Sequence, residues 1–398
     1  MKDQKSIEDG NKSTHILILG SGFAGIEVLK KLQRKFRKKD NIDITLVSRD
    51  NFLLFTPMLH EVSSGMIEIR HIVTPIRTFC KKAYFYQANV HLIDLENKKV
   101  VITHKIGKQS EPTAYHQHSL EYDYLVIALG SETNFFGMDD IERYSFSMKT
   151  IDDAIVLRNH IINMIEQASL EQENSDLRKS LLTFVVVGGG FGGVETVGEL
   201  NDFVKEIVRE FYKDVFMTDI KVILVNSHDK ILPEVGEELG DFALQKLKEN
   251  GVQFIMNARL KEATATTAKL DNGTVIATYT LIWTAGVRPG KVIANIPCEH
   301  DKHDRIVTNN YLELSGYEGE VYAIGDCASI PDPHTGKPYP PTAQHAIRQG
   351  KVAAKNIISS IEGKRKKQKF DYKTKGMMAE IGKELGLQSY LDLRYMDL

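Results

Sequence analysis

Twice along this chain a short, unbroken apolar run ends in glycine and gives way to a helical period. From His15 the residues read HILILG, then SGFAGIEVLKKLQRKF, then NIDITLVSRD. A short apolar run bounded by glycine predicts a buried strand. Apolar positions three and four apart predict an amphipathic helix. Strand, turn, helix and strand in that order make a βαβ unit that opens an α/β sheet. The same order returns at Leu181 as LLTFVVVGGG, FGGVETVGELNDFVKEIV and DIKVILVNS. One supersecondary unit repeated far apart in the sequence implies two domains rather than one.

Between the repeats, ANVHLIDLENKKVVI predicts a hairpin turning at Glu96 and Asn97. YDYLVIALGS predicts a buried strand ending in glycine, and Asp152 to Leu177 a helical connector. After the second unit come a helix near Leu239 to Asn250, a strand pair around Lys269 to Val275, and a strand in TLIWTAG. EGEVYAIGDCA then gives a strand, AQHAIRQGKVAAKNIISSI a helix, and GKRKKQK a basic linker. Residues 1–13 read as a polar, disordered tail. In the last stretch, Leu387, Tyr390, Leu391 and Leu398 stand at helix-like spacing.

The turns themselves carry chemistry. Gly20-Ser21-Gly22-Phe23-Ala24-Gly25 is GxGxxG between a strand and a helix. The first glycine permits the tight turn, the second lets a pyrophosphate approach the backbone, and the third lets helix and strand pack closely. The helix N-terminus offers free N–H groups and a positive dipole end to phosphate. Gly188-Gly189-Gly190-Phe191-Gly192-Gly193 repeats the arrangement. A lone motif is weak evidence; two copies, each in a full βαβ setting, predict two dinucleotide sites. The residue that usually holds the adenine ribose ends the second strand of each unit. Those positions are Ser48 and Asn226, which can hydrogen-bond a hydroxyl but carry no charge. No arginine follows Asn226 closely, which favours NADH over NADPH.

Composition narrows the reading. The chain has 398 residues, too many for one simple core. Apolar residues make up 42% and charged residues 26%, as in ordinary globular proteins. A net charge of −2 gives no argument for a nucleic-acid partner. The three cysteines, Cys80, Cys298 and Cys327, form no CxxC and no metal-ligand spacing, so no metal site is expected. With no signal-peptide pattern and no run of eighteen apolar residues, the expected location is cytoplasmic, with peripheral membrane attachment left open.

GSGFAGIE, LVSRDNFLLFTPMLHEVSSG, VVGGGFGGVET, ILPEVGEEL, LIWTAGVRP, VYAIGDCA and PPTAQHAIRQG together carry a family resemblance. From about His15 to Gly382 the chain resembles the type II NADH dehydrogenases, single-chain NADH:quinone oxidoreductases of the two-dinucleotide-binding, glutathione-reductase-like flavoproteins. The resemblance implies an FAD-binding domain in two parts, 14–150 and 288–363, an NADH-binding domain over 151–287, and a basic linker with a truncated C-terminal segment over 364–398. It implies FAD at the first turn, with Gly20, Gly22, Phe23, Ala24 and Gly25 at the pyrophosphate, Ser48 and Arg49 near the adenosine, and Val90 beside the adenine. Thr56 and Ala343 fall near the flavin ring. NADH falls at Gly188, Gly190, Gly193 and Asn226, with Ala285 and Gly286 lining its cleft.

Several implied roles have a plainer alternative. Gly130 touches the flavin or simply ends a strand. Asp326 accepts hydrogen bonds from the ribityl chain or caps a helix. Gln344 lies where the quinone docks or is an ordinary N-terminal turn residue. Glu195 aids proton movement or is a carboxylate favoured at a helix N-terminus. Lys375 reaches the flavin or is solvated, and His345 is a proton donor or structural.

The resemblance implies a hydride passing from NADH to FAD and two electrons passing on to a quinone, without proton pumping. It leaves peripheral membrane contact and a homodimer open. The family's C-terminal region is longer and more apolar than the stretch ending at Leu398, so the tail is a poor membrane anchor. Competing readings are a sulfide:quinone oxidoreductase, an NADH-dependent ferredoxin or rubredoxin reductase, and a nucleotide-sensing or inactive flavoprotein.

Overall fold

A computed structural model describes residues 13–108, 111–172, 175–382, 386–390 and 394–395. It is α/β, and its chain divides into two units. The first holds the described residues up to Leu54 together with Val73–Glu132 and Arg288–Lys373. The second holds Phe55–Ile72, Thr133–Val287 and the described residues from Thr374 onward.

In the first unit, HILILG forms the strand Thr14–Leu19 at the centre of a parallel sheet. Ile42–Ser48 and then Tyr84–Gln87 lie on one side of it, Tyr124–Ile127 and then Val321–Ala323 on the other. Ile16, Leu17, Ile18 and Leu19 are all buried, which explains the unbroken apolar run: a parallel sheet is covered on both faces. The helix Phe23–Lys35 buries Ile26, Val28, Leu29 and Leu32, each worth about 1.5–3 kcal/mol when fully removed from water. The helix Ala343–Ile361 packs against it at Gly350, where a Cβ would stand 2.5 Å from the Ala24 carbonyl oxygen. The expected hairpin is present and gains a third strand: Asn89–Asp94, Lys99–Lys108 and Glu111–Glu121 run antiparallel. Asn97 closes the turn by donating from its backbone N–H and its amide to the Asp94 carboxylate.

The second unit repeats the plan. Its parallel sheet runs Gln253–Ile255, Lys221–Val225, Thr183–Val187, Thr280–Trp283. The helix Phe191–Phe211 turns Val194, Val197, Leu200, Val204 and Val208 inward. Leu260–Ala263, Thr267–Leu270 and Val275–Ala277 form an antiparallel sheet. The expected connector is two helices, Ile151–Leu170 and Asp176–Leu181. Thr150 and Asp153 form a capping box at the start of the first, and Glu171 ends it in an extended conformation.

One expectation changes. The helix-like spacing of Leu387 and Tyr390 does not make a helix: Gly386–Tyr390 is a strand, antiparallel to Gly376–Glu380. The pairing satisfies the backbone of a segment too short to stabilise a helix alone. It also leaves Ala379 and Ile381 buried in the core of the second unit. Leu391 and Leu398 lie outside the described residues. Phe55–Ile72 and Thr133–Thr150 group with the second unit, because the short helix Leu59–Ser63 packs on Ile151–Leu170 and Phe191–Phe211. The basic linker as far as Lys373 groups with the first.

Candidate functional site

In the first unit the glycine turn divides its labour as GxGxxG requires. Gly20 has φ +100°, and a Cβ there would lie 2.1 Å from the Ala128 carbonyl oxygen. A Cβ on Gly25 would lie 1.9 Å from the Gly20 carbonyl oxygen, so this glycine lets the helix approach the strand. Gly22 differs: it is exposed, its φ is −70°, and a Cβ would meet nothing within 4 Å. The protein therefore does not need a glycine at Gly22, whereas a group approaching the helix N-terminus from outside does. Ser21 donates a hydrogen bond to Ser48 at 2.7 Å, tying the cradle to the end of the second strand, and Arg49 is exposed beside Asp50.

Elsewhere in this unit, Gly130 takes φ +70° with open space where a Cβ would be. The next residue, Ser131, donates to the Asp326 carboxylate at 2.9 Å. Asp326 sits in the 3-10 turn Gly325–Cys327, whose first N–H donates to Gln349. Ala343 and Gln344 open their helix. The Gln344 side-chain oxygen accepts from the Tyr372 hydroxyl at 3.1 Å, and its backbone oxygen from Arg348. His345 is buried, with Nδ1 2.6 Å from the Thr342 hydroxyl, and burial pulls its pKa down to about 4. Val90 is half-buried in the antiparallel sheet.

The second cradle matches the first. Gly188 has φ +127° and would crowd Thr284. A Cβ on Gly193 would lie 1.9 Å from the Gly188 carbonyl oxygen, and Gly190 is open, its nearest neighbour being the Glu234 carboxylate at 4.0 Å. Thr284 also donates to the Val187 carbonyl, fixing the strand end from which Ala285 and Gly286 follow. Asn226 is buried and has a structural duty: its amide nitrogen donates to the carbonyls of His228 and Lys230. Only its oxygen is left for a ribose. Lys230 pairs with Glu237 at 2.5 Å. Both cradles fit the diphosphate of a dinucleotide: a helix N-terminus, two glycines required by packing, and a middle glycine facing open space.

The sequence reading passed over a buried polar cluster in the second unit. His60 and Glu61, the polar pair inside the apolar run FTPMLHEV, are both buried on the short helix Leu59–Ser63. His60 Nε2 lies 2.9 Å from Glu195 Oε2. The N–H is not aligned for a good hydrogen bond, so charge and proximity define the contact, and Nδ1 has no partner. Burial pulls the imidazolium down, but Glu195, with the Glu61 and Glu199 carboxylates behind it, raises its pKa above the ordinary value. Burial also pushes Glu61 up to about 7 and raises Glu199, which accepts from Ser64 at 2.9 Å. The signal for this cluster is two adjacent ionisable residues inside an otherwise apolar run. Thr56 is exposed in a 3-10 turn and Lys375 is exposed, both in this second unit.

The model of the pyridine nucleotide-disulphide oxidoreductases matches residues 14–350. A probable NADH dehydrogenase of Dictyostelium discoideum is 32% identical over 94% of this chain and 80% of its own length. A type II NADH:quinone oxidoreductase of Staphylococcus haemolyticus is 31% identical over 94% of this chain and 88% of its own. The chain belongs to the pyridine nucleotide-disulphide oxidoreductases, in their type II NADH dehydrogenase branch. A solved NDH2 from Plasmodium falciparum, in complex with NADH, superimposes with a TM-score of 0.86 at 22% identity, covering 97% of this chain and 92% of that one. The expected two-dinucleotide fold is therefore correct. Among the described residues no helix is long and apolar enough to cross a membrane, and no group of ligands suited to a metal ion occurs.

Proposed function

We propose that this chain oxidises NADH and delivers two electrons to a quinone through FAD, without pumping protons. The observation that carries the reading is the repeated cradle, one in each unit, whose middle glycine is dictated by no contact within the protein. FAD supplies the redox chemistry when bound, accepting a hydride and releasing electrons singly or in pairs. The chain's own residues do the rest. In the first cradle, Gly22, Phe23 and Ala24 present helix N-terminal amides to the FAD pyrophosphate, and Ser48 stands at the adenosine end. Asp326, held by Ser131, orients the ribityl chain. In the second cradle, Gly190 leaves room for the NADH pyrophosphate, and Glu195 one helical turn on passes a proton toward the reacting end.

The thiols argue against sulfur chemistry. All three cysteines are free; burial pushes the Cys80 thiol up and those of Cys298 and Cys327 up to about 11. A reactive cysteine needs the opposite shift. Location follows the same reading: peripheral contact at the cytoplasmic face of a membrane, through the basic run GKRKKQK, which suits an anionic surface.

An anaerobic titration tests the reaction. NADH is expected to bleach the flavin absorbance of the FAD-loaded protein, and a short-chain quinone to restore it. Bleaching by sulfide but not by NADH would overturn the reading, as would a reduced flavin that reoxidises only with ferredoxin.

A further inference from the structure

His60 is a residue that a hydrophobic core would not choose. It is 8% exposed, on a five-residue helix whose neighbours Leu59 and Val62 are plain core, and its Nδ1 has no partner. A buried polar group left unpaired costs about 1–3 kcal/mol, so its retention asks for a reason. The reason lies on the other ring nitrogen, which has no aligned hydrogen bond either but stands 2.9 Å from the Glu195 carboxylate. Glu195 is one turn into the helix that begins at the second cradle. Its second oxygen faces the Glu380 backbone N–H at 3.4 Å.

We propose that His60 is the proton-holding and positioning partner of Glu195, so that an imidazolium–carboxylate pair beside the second cradle stores one proton for the reaction. The step balances without an added reactant. The His60 Nε2–H bond breaks and a Glu195 O–H bond forms, turning a charged pair into a neutral one. Glu195 then gives that proton to an oxygen of the quinone as the two electrons from NADH arrive, and water reprotonates His60. This rests on the proposed role of Glu195.

The surroundings suit such a store. Facing the pair are Glu61 from the same short helix, Glu199 from the helix of Glu195, and Glu380 from the strand Gly376–Glu380. From the helix Ile151–Leu170, Arg158 reaches the loop at Gly65. The excess of carboxylates keeps a proton in the cluster, and burial slows its exchange with solvent. Glu61, with one carboxylate oxygen buried and unpartnered, is better kept neutral than ionised.

Two measurements on the full-length, FAD-loaded chain decide it, using His60→Gln, Glu195→Gln and the double variant. His71→Gln, an exposed histidine of the same segment, is the control. In the first, the pH profile of NADH:quinone turnover is recorded. His60→Gln is expected to lower kcat about tenfold or more, less than the roughly 10²–10⁴-fold of a group that itself meets the substrate, because His60 acts through Glu195, and to displace the alkaline limb of the profile. The same substitution in the Glu195→Gln background is expected to add little. A His60→Gln profile parallel to the parent at every pH overturns the proposal.

The second measurement is independent of turnover. A histidine whose folded pKa is raised contributes stability that is full below its unfolded value and lost as pH rises through the folded value. The stability difference between parent and His60→Gln is therefore expected to be larger at mildly acidic than at alkaline pH, and to shrink in the Glu195→Gln background. A pH-independent difference, or one unchanged by Glu195→Gln, sinks the pair. If His60→Gln does not fold, His60→Asn replaces it in both series. Failure of the parent protein to oxidise NADH at any pH would remove the proposed function, and the unfolding series would still judge the pair.

Discussion

At the scale of single residues, the glycines separate what the fold needs from what a ligand needs. Gly20 and Gly25 are demanded by their own neighbours, whereas Gly22 faces open space. Gly22→Ala is therefore expected to leave the melting temperature of the ligand-free protein within about 2 °C, since an exposed substitution costs within ~0.5 kcal/mol. The same variant is expected to weaken FAD retention at least tenfold. Gly25→Ala is expected to lower the melting temperature by many degrees or abolish soluble expression, because its Cβ would stand 1.9 Å from a backbone oxygen. Calorimetry with a flavin fluorescence assay checks both; equal behaviour of the two variants contradicts the division. The motif and its division of labour were legible from spacing; the atoms that enforce it, the Ala128 and Gly20 carbonyls, were not, because they are set by how the strands and the turn come together. His345 makes the complementary point. The sequence left it between proton donor and structural residue. It is 1% exposed, packed between Tyr339 and Tyr372, and has a pKa of about 4. A histidine with a depressed folded pKa contributes stability present above its unfolded value, near 6.5, and lost as pH falls through 4. The parent is expected to lose up to roughly 3 kcal/mol over that window on this account, and His345→Gln to flatten the loss. Chemical denaturation at a series of pH values checks it; an unchanged slope would return His345 to the list of titrating candidates.

At the scale of elements, periodicity read the buried strands and long helices well and the tail badly. Residues 16–19 and Thr183–Val187 are short, mostly branched apolar runs buried on both faces, a pattern no surface element produces. Gly386–Tyr390 is assigned by its partner strand, and a single short segment holds no record of its partner. The loop after Lys221–Val225 is a middle case. Asn226 was legible as a strand-end polar residue, but its amide is committed to the carbonyls of His228 and Lys230. That commitment shapes the loop and places Lys230 against Glu237, the first residue of the helix Glu237–Glu249. The lysine that a 2′-phosphate would seek is thus already engaged. NADH is expected to be preferred over NADPH, and Glu237→Gln to lower the KM for NADPH severalfold while moving that for NADH little, since an exposed ion pair is released at small cost. Steady-state kinetics with both nucleotides checks this; equal shifts for the two would show that Lys230 does not face the ribose.

At the scale of the whole molecule, the repeat in the sequence is a repeat in the architecture, with one core in the first unit and two in the second, one on each face of its sheet. The two-domain organisation was legible because the same βαβ pattern occurs twice. The grouping of Phe55–Ile72 was not, because that segment follows its packing partners Ile151–Leu170 and Phe191–Phe211 rather than its sequence neighbours. The same excursion brings His60 to Glu195, a pairing 135 positions apart that no spacing rule reports. Separate cores make ligand stabilisation addressable. A ligand that binds only the folded state stabilises it by about 2.7 kcal/mol at a hundred times its dissociation constant. Gly22→Val places a branched side chain in the open space of one cradle, and Gly190→Val does so in the other. In thermal unfolding of ligand-free protein, Gly22→Val is expected to abolish the upward shift produced by FAD while keeping the shift produced by NADH, and Gly190→Val to do the reverse. If either substitution removed both shifts, the two dinucleotides would share one cradle. The internal repeat would then be an accident of fold rather than the basis of the chemistry.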